Sequence, residues 1–124
     1  MSEELKRNIA VIDDDLLVRQ ALVDCMESAG YAVEGFGSAE EFLRSGSTGN
    51  AACLILDIQL PGIDGLELQG KLAGSERGVP IVFVSAQGTN ANREKAMKQG
   101  AAGFLSKPFR REELLKLIGA AIRR

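Results

Sequence analysis

Short apolar runs and longer segments with helical apolar spacing alternate along this chain. The runs lie at residues 8–12, 31–36, 51–56, 80–84 and 102–106 and predict buried strands. Between them, apolar residues recurring every three or four positions predict helices. The first helix covers 16–29, with Val18, Leu22, Cys25 and Ala29 on one face. The second follows Ser38, whose hydroxyl caps it, with Glu41 completing a capping box. The third runs through Leu68 and Leu72 and ends across 74–78; the fourth covers 92–99. The fifth spans 111–122, with Leu114, Leu115, Ile118 and Ile122 facing inward. Gly30 and Gly100 stand where the first and fourth helices must stop. The polar stretch 45–50 and Pro61-Gly62 read as a loop and a turn, and Pro80 starts its strand where no ladder donor is needed.

Five strands alternating with five helices predict an α/β fold with a doubly wound, five-stranded parallel sheet. Apart from Asn8, Glu34 and Ser106 the runs hold no polar side chain, as expected of strands covered on both faces. No linker or repeat divides residues 1–124, so one domain is expected. Ligands of such sheets sit beyond the carboxyl ends of the strands, which directs the search for chemistry there.

Composition narrows the chemistry. Net charge is −2 and the longest basic runs are pairs, Arg110-Arg111 and Arg123-Arg124, which helix ends in water explain. Direct nucleic-acid binding by this domain is therefore not expected. No apolar stretch reaches the ~18–20 residues that cross a bilayer, and residues 1–7 lack the apolar centre of a secretion signal, so a cytoplasmic protein with no membrane partner is expected. The two cysteines, Cys25 and Cys53, are far apart inside apolar patterns and read as small core residues. With no histidine and no Cys-x-x-Cys, a zinc site is not expected and any Ser-His or Cys-His mechanism is excluded.

The polar residues collect at the strand ends. Asp13, Asp14 and Asp15 follow the first strand, Asp57 the third, Ser85 the fourth and Lys107 the fifth. Singly, each has an ordinary explanation: an aspartate after a strand is commonly a turn or cap residue, and Asp15 is read as the cap of the first helix. Together, in a parallel sheet, they converge on one edge. Clustered carboxylates repel, and a hard divalent cation with oxygen ligands relieves that repulsion. A phosphoryl group needs its oxygens neutralised during transfer. The metal, Lys107, and the Ser85 hydroxyl with nearby N–H groups supply that neutralisation, leaving Asp57 to attack phosphorus and form an acyl phosphate.

Val11-Ile12-Asp13-Asp14-Asp15, Leu56-Asp57-Ile58-Gln59-Leu60-Pro61-Gly62, Val84-Ser85-Ala86 and Lys107-Pro108-Phe109 resemble, in order, the signature blocks of bacterial response-regulator receivers. The resemblance covers nearly the whole chain. It implies the flavodoxin-like strand order 2-1-3-4-5 and a two-component phosphoacceptor instead of a metabolic enzyme. It implies Asp57 as acceptor and Mg²⁺ or Mn²⁺ held by Asp13, Asp14, Asp57 and the backbone carbonyl of Gln59. Lys107 would pair with the phosphoryl group, Ser85 would be the switch hydroxyl, and Phe104 would be the aromatic that turns inward when Ser85 moves. Lys107-Pro108 would be cis. The donor would be a histidine kinase or phosphotransfer protein.

Phe104, the spacing from Ser85 to Lys107, and Ala96-Met97-Lys98-Gln99-Gly100-Ala101 are similar to receivers of the nitrogen-fixation type, which usually precede a helix-turn-helix domain. Control of an output domain or partner, chiefly transcriptional, through the surface of the fourth helix, fifth strand and fifth helix follows from that likeness, as does a phosphorylation-dependent homodimer. A stand-alone phosphorelay or interaction receiver is the alternative. The P-loop-like Gly65-Leu66-Glu67-Leu68-Gln69-Gly70-Lys71 has Leu72 where a Mg²⁺-binding hydroxyl is required and reads as helix. A phosphatase of the haloacid dehalogenase type would carry an aspartate where Gln59 stands. A flavodoxin would not place Asp13-Asp14-Asp15 against a phosphate.

Overall fold

The computed structural model describes residues 7–74 and 78–123. The polar segment 1–6, residues 75–77 of the expected third-helix stop, and Arg124 lie outside the described residues. The apolar runs form β1 (Asn8–Ile12), β2 (Ala32–Phe36), β3 (Cys53–Leu56), β4 (Ile81–Ser85) and β5 (Gly103–Ser106). Their pairings are parallel and their order is β2-β1-β3-β4-β5. The helices are α1 (Leu16–Ser28), α2 (Ala39–Arg44), α3 (Gly65–Ala73), α4 (Asn90–Lys98) and α5 (Arg111–Ile122), and one 3-10 turn, Ser47–Gly49, lies within the loop at 45–50. Among the described residues no helix is long and apolar enough to cross a membrane.

Side-chain alternation along each strand divides the core into two layers. Ala10, Ile12, Leu54 and Phe83 face α2, α3 and α4, where Phe42, Leu68 and Ala96 meet them. Ile9, Val11, Ile55 and Val82 face α1 and α5, meeting Leu22, Met26, Leu114 and Ile118. Fully burying each such aliphatic or aromatic side chain contributes roughly 1.5–3 kcal/mol, so both layers hold the sheet edge in place.

The element ends differ from the sequence expectation for identifiable reasons. Tyr31 does not join β2, because its N–H donates to the Met26 carbonyl at 3.2 Å while that of Gly30 donates to Glu27 at 3.0 Å. This closure places Gly30 at φ 97°, where glycine is favoured. The same closure ends α4, through Ala101 N–H to Ala96 O at 3.0 Å. That helix begins at Asn90, earlier than expected, because the Thr89 hydroxyl accepts the Asn92 N–H at 3.1 Å. Residues 51–52 stay outside β3, with the Ala51 N–H held by Ser47 O at 3.1 Å. Pro80 lies before β4, and Ser85 is its last residue, paired in register with Ser106. Ser38 caps α2 through the Glu41 N–H, while the fully reciprocal capping box is Asp64–Glu67 at the start of α3. The segment resembling a P-loop is that helix.

Two helix faces are also adjusted. On α1 the buried residues are Leu22 and Met26; Val18 and Cys25 are half-buried, and Ala29, the C-cap, is exposed. On α5 they are Leu114, Ile118 and Ala121, with Leu115 and Ile122 half-buried. Cys53 is fully buried, and burial pushes its thiol pKa up to about 12. The half-buried Cys25 belongs to the shoulder of the core instead of its centre.

Candidate phosphoacceptor site

Three of the expected residues are fixed by backbone bonds that continue the sheet beyond its strands. The Asp13 N–H donates to Phe36 O at 3.1 Å, the Asp57 N–H to Ile12 O at 3.1 Å, and the Lys107 N–H to Ser85 O at 3.0 Å. Each chain therefore keeps its strand register for one more residue, and the side chains leave the sheet on one edge. Lys107-Pro108 is cis.

The side chains then meet. The Lys107 ammonium donates to Asp13 Oδ2 at 2.8 Å and to Asp57 Oδ2 at 3.0 Å. Asp13 Oδ1 accepts the Asp15 N–H at 2.9 Å, and Asp57 Oδ1 accepts the Gln59 N–H at 3.2 Å. Asp13 and Asp57 are only 1% and 6% exposed, so their charges depend on these partners. Burial raises the Asp13 pKa above the ordinary carboxylate value, against the lowering effects of Lys107 and the Asp15 N–H, and the Asp57 charge adds to the rise. For Lys107, burial works against the charge, but hydrogen bonds to Asp13 and Asp57 outweigh it and its pKa rises.

Asp13, Asp14 and Asp57 each offer a carboxylate oxygen, all within 4.8 Å of one another. One ammonium shared between two of them leaves an excess of negative charge. That all-oxygen donor set fits a hard divalent cation such as Mg²⁺ or Mn²⁺ and does not fit a soft metal. The carboxylates lie at a cleft of about 480 Å³, also bordered by Gln59, Gln87 and Lys107. Gln59 and Gln87 are exposed at its rim. Asp15 caps α1, accepting the N–H groups of Leu17 and Val18 at 2.9 and 3.2 Å, which is the cap role expected of it.

Ser85 and Phe104 are set back from this edge. Ser85 is wholly buried and its hydroxyl accepts the Gln87 N–H at 3.0 Å. The Phe104 ring is buried, stacks on Phe83 at 5.8 Å between centroids, and carries the Arg93 guanidinium at 4.9 Å. The ring is thus already inside while Ser85 is engaged with its own loop.

Three contributors were not recognised from sequence. Arg19 donates to the Asp13 carbonyl at 2.8 Å, from one turn into α1. Glu40 accepts the Ile63 N–H at 3.0 Å, across 23 residues of chain. Gly65 lies so close to the Asp57 carbonyl oxygen that a Cβ there would collide with it and stand 2.8 Å from Ile58 Cα. The Arg19 position on the first helix was a readable signal; the other two depend on tertiary approach.

The sequence profile described as "Response regulator receiver domain" matches residues 9–119. Nodulation protein W of Bradyrhizobium diazoefficiens is 42% identical over 119 residues, covering 96% of this chain and 52% of that protein. The transcriptional regulatory protein FixJ of the same organism is 36% identical over 118 residues, covering 95% of this chain and 58% of FixJ. The chain thus spans little more than half the length of these relatives. Among solved structures, the response regulator StyR superposes with a TM-score of 0.86 at 41% identity, over 95% of this chain and 60% of that one.

Proposed function

Because the chain belongs to the response regulator receiver family, we propose that it takes a phosphoryl group onto Asp57 from a histidine kinase or phosphotransfer protein. The reaction requires Mg²⁺ or Mn²⁺. The observation that carries this reading is the nearly buried Asp57 carboxylate at an open cleft, with Asp13, Asp14 and Lys107 beside it.

An Asp57 oxygen attacks phosphorus; the O–P bond forms as the P–N bond of phosphohistidine breaks, and its electron pair leaves with the imidazole. With acetyl phosphate the leaving group is acetate. Asp13, Asp14, Asp57 and the Gln59 carbonyl would hold the cation, which would supply positive charge to the phosphoryl oxygens. Lys107 releases its bonds to the carboxylates and turns to a phosphoryl oxygen, a change of partner within its reach. Ser85 exchanges the Gln87 N–H for another oxygen, and Phe104 and Arg93 respond on the α4-β5-α5 surface. The protein is a phosphoacceptor that promotes its own phosphorylation and dephosphorylation, working in the cytoplasm, not a metabolic enzyme. FixJ is named a transcriptional regulatory protein, and transcriptional output through a further domain or partner is the reading this likeness favours.

Incubation with acetyl phosphate, followed by intact mass, tests the proposal. One phosphoryl group should appear with Mg²⁺ and vanish with chelator or in Asp57→Asn. Labelling that persists in either case overturns the assignment.

A further inference from the structure

We propose that Glu40 is a positioning residue for phosphoryl transfer, holding from α2 the loop that presents the Gln59 carbonyl to the metal. This role rests on the receiver reading above. The loop between β3 and α3 is secured at its near end by Asp57 Oδ1 on the Gln59 N–H at 3.2 Å, and at its base by the Gly65 N–H on Ile58 O at 2.8 Å. Its outer part contains Pro61 and Gly62, both exposed, and has no helix or strand of its own. Glu40 reaches that part: its Oε2 accepts the Ile63 N–H at 3.0 Å.

Gly62 makes this approach feasible. Its φ is 73°, and a Cβ there would collide with the Glu40 carboxylate. Ala39, the neighbour of Glu40, is fully buried and anchors the root of the side chain. Glu40 Oε1 is buried and has no hydrogen-bond partner among the described residues. The charge strengthens the bond to the loop amide, and that bond, with the residue's own N–H, holds the Glu40 carboxyl below its ordinary pKa. With both ends of residues 59–63 fixed, the Gln59 carbonyl is preorganised, and metal binding need not order the loop.

The test uses unphosphorylated protein and compares Glu40→Ala, Glu40→Asp and Glu40→Gln with wild type. Calorimetric Mg²⁺ titration should show the dissociation constant rising three- to tenfold in Glu40→Ala and in Glu40→Asp, which keeps the charge but is one methylene too short for the Ile63 amide. Glu40→Gln, which retains a weaker oxygen acceptor at full length, should lie between wild type and Glu40→Ala. Hydrogen exchange at the Ile63 amide of metal-free protein should accelerate at least tenfold in Glu40→Ala. If that variant does not fold, Glu40→Asp and Glu40→Gln decide the question. A lower melting temperature with unchanged Mg²⁺ affinity overturns the role and leaves Glu40 as a structural contact. Failure of wild type both to bind Mg²⁺ and to label Asp57 instead removes the phosphoacceptor reading and, with it, this role.

Discussion

The Arg93 guanidinium lies 4.9 Å from the centre of the Phe104 ring, joining the exposed face of α4 to a residue of the core. A cation over an aromatic face at a solvent-facing site contributes about 0.5–1 kcal/mol. A double-mutant cycle with Arg93→Ala and Phe104→Leu, followed by urea denaturation, should return a coupling of that size. Strict additivity would show that the contact carries no energy.

Metal should stabilise the protein. At 100 times its dissociation constant, Mg²⁺ binding only the native state adds about 2.7 kcal/mol, which corresponds to roughly 10 °C in melting temperature for a domain of this size. Asp14 is exposed and offers one of the three converging carboxylate oxygens. Asp14→Ala should therefore lose the metal response while melting at or above wild type without metal, because a like charge has gone. A retained Mg²⁺ response would remove Asp14 from the ligand set.

The lifetime of the acyl phosphate should be set at the rim. Gln59 and Gln87 border the cleft, and a neutral amide can place or obstruct a water but cannot take its proton. Dephosphorylation should be nearly flat between about pH 6.5 and 8. Alanine at either position should alter the rate without preventing phosphorylation. Identical decay in both variants and wild type would show that the rim does not govern the lifetime.

Phosphorylation should favour a homodimer through the α4-β5-α5 face, where Arg93, Lys95, Met97 and Lys98 are exposed. Sedimentation equilibrium with beryllofluoride and Mg²⁺ should show a mass shift towards dimer that is absent in Asp57→Asn. The same monomer in both conditions would eliminate this mode of output.

Alkali should weaken the fold through Cys53. Its pKa is raised to about 12 in the folded chain from an ordinary value of 9.0, so the native state favours the neutral thiol. The associated stability is complete below pH 9 and is lost as pH rises towards 12, by about 4 kcal/mol at most. Comparison of wild type with Cys53→Ala by urea denaturation from pH 8 to 11 should show a shallower alkaline decline in the variant. Parallel declines would assign the loss to other groups.

The central strands and the acids that follow them were legible because burial on both faces leaves a nearly continuous apolar run, which Asp13 and Asp57 end in β1 and β3; the edge strand β2, with Glu34 and Gly35 exposed, carries the weaker pattern. Periodicity could not locate the start of α4, since Asn90–Lys98 has little apolar content and begins where Thr89 caps it. It also misplaced the centre of α1 by assigning Ala29 to the buried face, when the sheet meets Leu22 and Met26. The strand order came from family likeness, because apolar runs alone do not say which strands are neighbours. Glu40 was illegible for a different reason: its partner is a backbone amide 23 residues away, and an amide has no sequence signature. The inward Phe104 and the locally bonded Ser85 depend on side-chain conformation, which residue type and spacing do not specify.

Gly65 gives the site a mechanical character. With no side chain between α3 and the Asp57 peptide, the helix N-terminus and the backbone of the nucleophile touch directly, closed by the Gly65 N–H on Ile58 O at 2.8 Å. Atoms in such contact cannot slide past one another without a clash, so the helix and the nucleophile share one position. On the proposed reading, the α3 side is the abutment against which an incoming phosphoryl group would be received. The same reading leaves displacement to the opposite flank, where the Ser85 hydroxyl and the Lys107 ammonium are held by hydrogen bonds that a phosphoryl oxygen would replace.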